Sequence, residues 1–185
     1  FEGRHESIAQ FEDIRERVVL INGVSKGFAM TGWRIGYMAA PPEIARACGK
    51  LQGQVTSGAS SIAQRAALTA LTSDKSFTLE MKKAFQRRRD LVLDGVDQIK
   101  GMKKYTPQGA FYLFPDVSDF FGKSSGERTI ENDSDLCFYL LEEAHVALVP
   151  GSAFGSPNNI RLSYAASDQA LKEALMRMKK HLDRL

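Results

Sequence analysis

Residues 21 to 37 read INGVSKGFAMTGWRIGY, a run that carries only two charges, Lys26 and Arg34. The β-branched segment ERVVLING (16 to 23) leads into it, closed by Asn-Gly, and predicts a buried strand followed by a turn. The run continues into WRIGYMAA (33 to 40), a second strand candidate that ends at Pro41-Pro42. Two strands joined by a glycine-rich segment leave few folds open. Lys26 should then sit at the end of the first strand and Arg34 on the second, in a largely apolar setting.

The rest of the chain alternates helices and strands. Pro42 suits the first turn of a helix running from Glu43 to about Gln54. After the small, polar TSGASS, the alanine-rich IAQRAALTALTS reads as helix, and so does the long segment from about Phe77 to Ile99, which meets no breaker before Gly95. From Tyr105 the character changes. YTPQGAFYLFPDV predicts two short strands around Gly109, and DSDLCFYLLEEAH a helix capped by Asp133 or Ser134. VALVP and NIRLSYA read as strands. A last helix starting at Ser167 places Leu171, Leu175, Met178, Leu182 and Leu185 along one stripe. Residues 120 to 135 form the most loop-like stretch.

Composition excludes several classes. Apolar residues make up 43% and charged residues 25%, which suits a globular chain with ample core. A net charge of +3 gives no reason to expect nucleic acid or an acidic membrane surface as partner. No apolar run approaches the roughly 20 residues of a membrane span, and no signal peptide is visible. The two cysteines, Cys48 and Cys137, are far apart and form no CxxC, which favours a reducing, cytoplasmic setting. The first residue is Phe1, so a fragment of a longer chain is expected.

Some motifs carry nothing. GKSSG (122 to 126) matches G-x-S-x-G but sits in polar loop, whereas a nucleophile elbow joins a buried strand to a helix. It is no phosphate loop either, because Val117 stands where the first glycine belongs. His5, His145 and His181 are scattered without metal-ligand spacing, so no metal is expected. KKAFQRRRD (82 to 90) reads as a solvated helix face.

Lys26 resists the same dismissal. An isolated strand-end lysine ordinarily keeps its ammonium in water. Here the apolar surroundings should desolvate the amine, lower its pKa and free its lone pair to form an imine with an aldehyde. Arg34 offers a permanent planar cation suited to phosphate, and Gly27, Gly32 and Gly36 allow close approach of backbone to ligand. An imine-forming lysine beside a phosphate-binding arginine describes a site for pyridoxal 5'-phosphate (PLP), which carries both groups on one ring.

NGVSKGFAMTGWRIGY closely resembles the cofactor-lysine segment of class I/II PLP-dependent aminotransferases, the aspartate aminotransferase family. The resemblance covers nearly all the chain: GAFYLFP (109 to 115) is similar to the family's small-domain strand beside the substrate. PGSAFG (150 to 155) and NIRLSYA (159 to 165) are similar to the segments that precede and contain its carboxylate-binding arginine. It implies that Lys26 is the Schiff-base lysine and proton shuttle, and that Arg34 binds the cofactor phosphate with help from Ser25. Arg161 would bind the substrate's α-carboxylate. Where some relatives have a hydroxyl three residues before the lysine, this chain has Gly23.

The implied architecture is α/β, part of the fold type I arrangement. Residues 1 to 72 would end a large PLP-binding domain, 73 to 100 would form a bridging helix, and 101 to 185 a small α/β domain. FEGRHESIAQF resembles the stretch just after the family's pyridine-binding aspartate and ring-oxygen tyrosine. The piece is therefore expected to hold PLP weakly and to be inactive alone. The parent protein would be a homodimer that moves an amino group between an amino acid, aspartate first, and a 2-oxo acid, 2-oxoglutarate first. Alternatives are a lyase or synthase with the same cofactor, and a ligand-sensing module of a transcription regulator.

Overall fold

A computed structural model describes residues 1–126 and 128–185. Position 127, within the stretch expected to be most loop-like, lies outside the described residues. The chain divides into two compact units, Arg4–Glu80 and Phe1–Gly3 with Met81–Leu185.

In the unit Arg4–Glu80, the short 3-10 helices Ile8–Gln10 and Glu12–Arg17 precede β1 (Leu20–Gly23). β1 pairs antiparallel with β2 (Gly36–Ala39), with Leu20 opposite Ala39 and Gly23 opposite Gly36. Helices α1 (Pro42–Val55) and α2 (Ser61–Thr72) follow, and Pro42 opens α1 where its missing N–H costs nothing. Both helices lie where the pattern predicts. The strands, however, are not buried as a pair. Ile21 is 79% exposed, and burial is confined to Val24 and Ile35, just beyond the ladder's end, packed with Ala63 and Ala67 of α2. A ladder of two strands has two open faces, and the four residues of this cluster close over one end of it.

The larger unit is built around three helices and a small sheet. They are α3 (Ser76–Asp97), whose first turn precedes the unit boundary, α4 (Asp133–Ala144) and α5 (Asp168–Leu182). β3 (Tyr112–Leu113), β6 (Val149–Pro150) and β7 (Ile160–Ser163) form an antiparallel sheet in the order β3-β7-β6. A separate hairpin pairs β4 (Ser124–Ser125) with β5 (Arg128–Thr129). One continuous core joins Val92 and Val96 of α3, Leu136 and Leu140 of α4, and Leu171, Leu175, Met178 and Leu182 of α5. Full burial of each such side chain contributes about 1.5–3 kcal/mol.

Two expectations change here, while the long helix expected over about 77 to 99 forms as Ser76–Asp97 and runs through Gly95, where a Cβ would lie 2.5 Å from Leu175 Cδ1. Of the two strands around Gly109, only Tyr112–Leu113 forms. Pro107 has no N–H to give a ladder, and Ala110 takes a left-handed φ of 61°. The cap of α4 is Asn132, one residue before the expected pair, and its side chain accepts a hydrogen bond from Asp135 N at 3.0 Å. The carboxylate of Asp133 is engaged elsewhere.

Candidate active site

Lys26, Ser25 and Arg34 all lie on the connection between β1 and β2. Val24 N donates to Ile35 O at 3.3 Å, extending the ladder by one step beyond Gly23 and Gly36. Both residues of that step are buried. Ser25-Lys26 therefore leaves the anchored end of the ladder on one side, and Arg34 returns to it on the other. Inside the loop, Met30 N donates to Ser25 O at 3.0 Å and Trp33 N to Met30 O at 3.2 Å. The structure thus brings the three expected residues to one end of one hairpin.

Two details differ from the sequence reading. Arg34 is not on a strand. It closes the 3-10 turn Thr31–Trp33 in a left-handed conformation, φ 54° and ψ 47°, that a non-glycine residue adopts only when its surroundings impose it. The hydrogen bonds on either side do so. Its Nη1 donates to Thr31 O at 2.8 Å, and no carboxylate among the described residues pairs with it. The second difference is exposure: Lys26 and Arg34 are exposed and Ser25 half-buried, because burial stops at Val24 and Ile35. The apolar enclosure expected around the amine is not supplied by the residues described. Beside Arg34 an open concavity of ≈ 720 Å³ is walled by Trp33, Gln52, Thr56, Ser60 and Ile62.

Arg161 belongs to the other unit and lies on β7, the central strand of its sheet. Alternation buries Ile160 and Leu162 and turns Arg161 to the opposite face, half-buried, as expected. Arg161 faces Val149 of β6, and Tyr112 of β3, opposite Ser163, is its diagonal neighbour. The Tyr112 ring centroid lies 4.5 Å from the Arg161 guanidinium carbon. A second ring, Phe154, comes from the 3-10 turn Gly151–Phe154 directly after β6 and stands 4.6 Å from the same carbon. Phe114 meets Phe154 edge-on at 6.1 Å. No carboxylate among the described residues is paired with Arg161. Two aromatic rings this close attract the cation, and its forked N–H groups are suited to a planar anion.

Sequence reasoning missed Tyr112 and Phe154. Both stand inside segments singled out for other reasons, GAFYLFP and PGSAFG, but only the strand order β3-β7-β6 shows that they flank one arginine.

In the unit Arg4–Glu80 a primary amine and a guanidinium share one hairpin end, a donor set whose chemistry fits an aldehyde and a phosphate such as PLP carries. In the other unit the Arg161 guanidinium carbon lies within 4.6 Å of two ring centroids, and its N–H groups suit a carboxylate. The whole chain also matches known proteins. The family described as aminotransferase class I and II matches residues 2–178. The aspartate aminotransferase of Rhizobium meliloti (strain 1021) is 49% identical over 180 residues, 96% of this chain and 44% of that protein. A bifunctional aspartate aminotransferase and glutamate/aspartate-prephenate aminotransferase of Petunia hybrida is 47% identical over 182 residues, 96% of this chain and 38% of that protein. The crystal structure of the aspartate aminotransferase from Rhizobium meliloti superposes with a TM-score of 0.95 at 47% identity, covering all of this chain and 47% of that one.

The fold is that of part of a fold type I transferase of mixed α/β architecture. The chain belongs to the class I and II aminotransferases, within the aspartate aminotransferase family. It spans less than half the length of the curated relatives it matches.

Proposed function

We infer that the full-length protein is a PLP-dependent aminotransferase, acting as a homodimer in the cytoplasm on aspartate and 2-oxoglutarate. The observation that carries this reading is the convergence of Ser25, Lys26 and Arg34 on the anchored end of the β1–β2 hairpin. The names of the relatives support aspartate as the amino acid, and prephenate, which the Petunia relative's name includes, is the second oxo acid to test. Residues 1 to 72 belong in this reading to the large cofactor domain and 101 to 185 to the small domain, with the helix between them as the bridge.

PLP, when bound, supplies a ring that takes up the electron pair released at the substrate's Cα. The rest is the work of side chains. Lys26 Nζ would hold the cofactor through its aldehyde carbon, and the same amine would carry the proton to and from the substrate's Cα. Arg34 holds the phosphate by charge-assisted hydrogen bonds, with the Ser25 hydroxyl beside it. Arg161 grips the α-carboxylate through its fork and so sets the plane in which Cα–H lies.

Borohydride reduction of the full-length protein with PLP, followed by peptide mapping, tests the assignment. The cofactor should be fixed to the peptide containing Lys26, and Lys26→Ala should abolish most turnover while leaving some PLP bound. Label on another lysine would end this reading.

A further inference from the structure

The turn that presents Phe154 to Arg161 is held in place by a buried carboxylate from a different element. Asp133 opens α4 and is 2% exposed. Its Oδ2 accepts a hydrogen bond from Ser152 N at 2.7 Å, and its Oδ1 accepts one from Ser134 N at 3.0 Å. Ser152 lies two residues before Phe154 on the same single turn, which closes through Gly155 N donating to Ser152 O at 3.0 Å. The base of the turn is equally tight. Gly151 N donates to Asn159 O at 2.8 Å, and a Cβ on Gly151 would overlap the carbonyl oxygens of Ser156 and Asn159. Asn159 in turn donates from Nδ2 to Phe114 O at 3.0 Å. The backbone that carries Phe154 is thus tied at Gly151, Ser152 and Gly155, and the tie at Ser152 is the one made by a charged side chain.

A carboxylate with so little exposure is costly to bury. An ordinary helix-capping role needs no such burial, since Asn132 already caps α4. What the buried position supplies is reach across to the 151–154 turn. We propose that Asp133 is a positioning residue for substrate-carboxylate recognition, holding the Gly151–Phe154 turn so that the Phe154 ring keeps the Arg161 guanidinium in the plane that receives the carboxylate. The proposal rests on the reading of Arg161 as the carboxylate-binding residue. Asp133 acts through Ser152 and Phe154 and touches no substrate. Loss of the tie lets the ring move off Arg161, and the guanidinium then samples orientations that do not match a carboxylate.

The test uses the full-length enzyme with PLP. Asp133→Asn should raise KM for aspartate and for 2-oxoglutarate roughly 10-fold, the order carried by one charge-assisted hydrogen bond. It should leave the cofactor's absorbance spectrum unchanged. The half-reaction of a simple alkylamine, which has no α-carboxylate, should proceed at the wild-type rate. Phe154→Leu alters an exposed ring that the core does not require and should give the same split. The double variant should be no worse than the poorer single one. Equal losses for amino acid and alkylamine, additive losses in the double variant, or no loss at all would each overturn the proposal. If Asp133→Asn does not fold, the Phe154→Leu split alone decides, and its absence overturns it. Arg161→Lys in the same assay separates the two readings. If that variant binds aspartate normally, the assignment of Arg161 has failed; if it does not, and Asp133→Asn and Phe154→Leu do, only the positioning role has failed.

Discussion

Single residues show both the reach and the limit of reading the sequence. Lys26 and Arg34 could be singled out because two charges in an apolar, glycine-rich run require an explanation, and Arg161 because strand alternation sets it apart from Ile160 and Leu162. Asp133 and Phe154 could not, since their partners are distant in sequence: Ser152 is nineteen positions from Asp133. Cys137 shows the same dependence on packing. Burial, with the Asp133 carboxylate adding to it, pushes its thiol up from 9.0 to about 12. Burial also pushes the Tyr164 hydroxyl up from 10.0 to about 12, opposed by the nearby Arg89 cation. Both groups are neutral in the folded chain at pH values where the unfolded chain has lost those protons. The unfolded state therefore binds fewer protons, and stability falls as pH rises. Urea midpoints should hold up to about pH 9 and then decline towards pH 12, with Cys137→Ala flattening the first part of the decline. In the folded chain at pH 8.5 a thiolate-selective reagent should label Cys48, which is half-buried, ahead of Cys137. A flat stability profile from pH 9 to 12 would contradict these shifts.

At the scale of elements, helices were legible and strands much less so. α1, α2 and α4 lie within a residue or two of their expected spans, and α5 starts as expected but stops at Leu182, short of Leu185, because a 3.6-residue period, a proline at a first turn and a serine cap are local signals whereas a helix end without a breaker is not. The strands of the larger unit are two to four residues long, too short for alternation to register, and they exist because β7 is paired on both sides. The burial expected of β1 failed for a related reason: apolar pattern states what a strand can bury and says nothing of what covers it. Helix α5 allows a direct check. Ser167 Oγ accepts from Ala170 N at 3.2 Å, and Asp168 next to it is held by Arg87 and Arg88 of α3, each at 3.1 Å. Those guanidiniums keep the Asp168 carboxyl below its usual range, and since Arg87 is exposed and Arg88 and Asp168 only half-buried, water screens the cluster and its share of stability is small. The cap should matter more. Ser167→Ala should lower stability by about 1 kcal/mol, read as a shift in the urea midpoint at unchanged slope, and Ser167→Asp should recover it. Equal stability of all three would show that α5 is held by its apolar stripe alone.

At the scale of the whole molecule, the two units differ in how much core each contains. The unit Phe1–Gly3 with Met81–Leu185 buries one cluster that runs through three helices and the sheet, including Phe120, Tyr139 and Tyr164, none more than 2% exposed. The unit Arg4–Glu80 buries the cluster Val24, Ile35, Ala63 and Ala67, and Pro41 besides, among the described residues, while Leu51, Val55 and Ile62 remain 66%, 78% and 74% exposed. Two of the four cluster side chains are alanines, each offering a fraction of the apolar area of a leucine. Backbone order costs about 1–2 kcal/mol per residue whichever unit it belongs to, so the unit with less burial has the smaller net stability. Local opening should then follow the division of the chain. In hydrogen exchange on this 185-residue chain, amides of β1, β2 and α1 should exchange at least about a hundredfold faster than those of α4 and α5, the ratio for an opening free energy lower by roughly 3 kcal/mol. Denaturant should melt the two sets at different midpoints, with the weaker transition assigned to Arg4–Glu80. The exposed leucine, valine and isoleucine of α1 and α2 predict concentration-dependent association as well, which Leu51→Glu with Val55→Lys should suppress without moving the protection of α4 and α5. Uniform protection across the chain with a single unfolding midpoint would show that the small cluster at Val24 and Ile35 is as strong as the large one. The hairpin end that carries Lys26 and Arg34 would then be as rigid as the core of the larger unit.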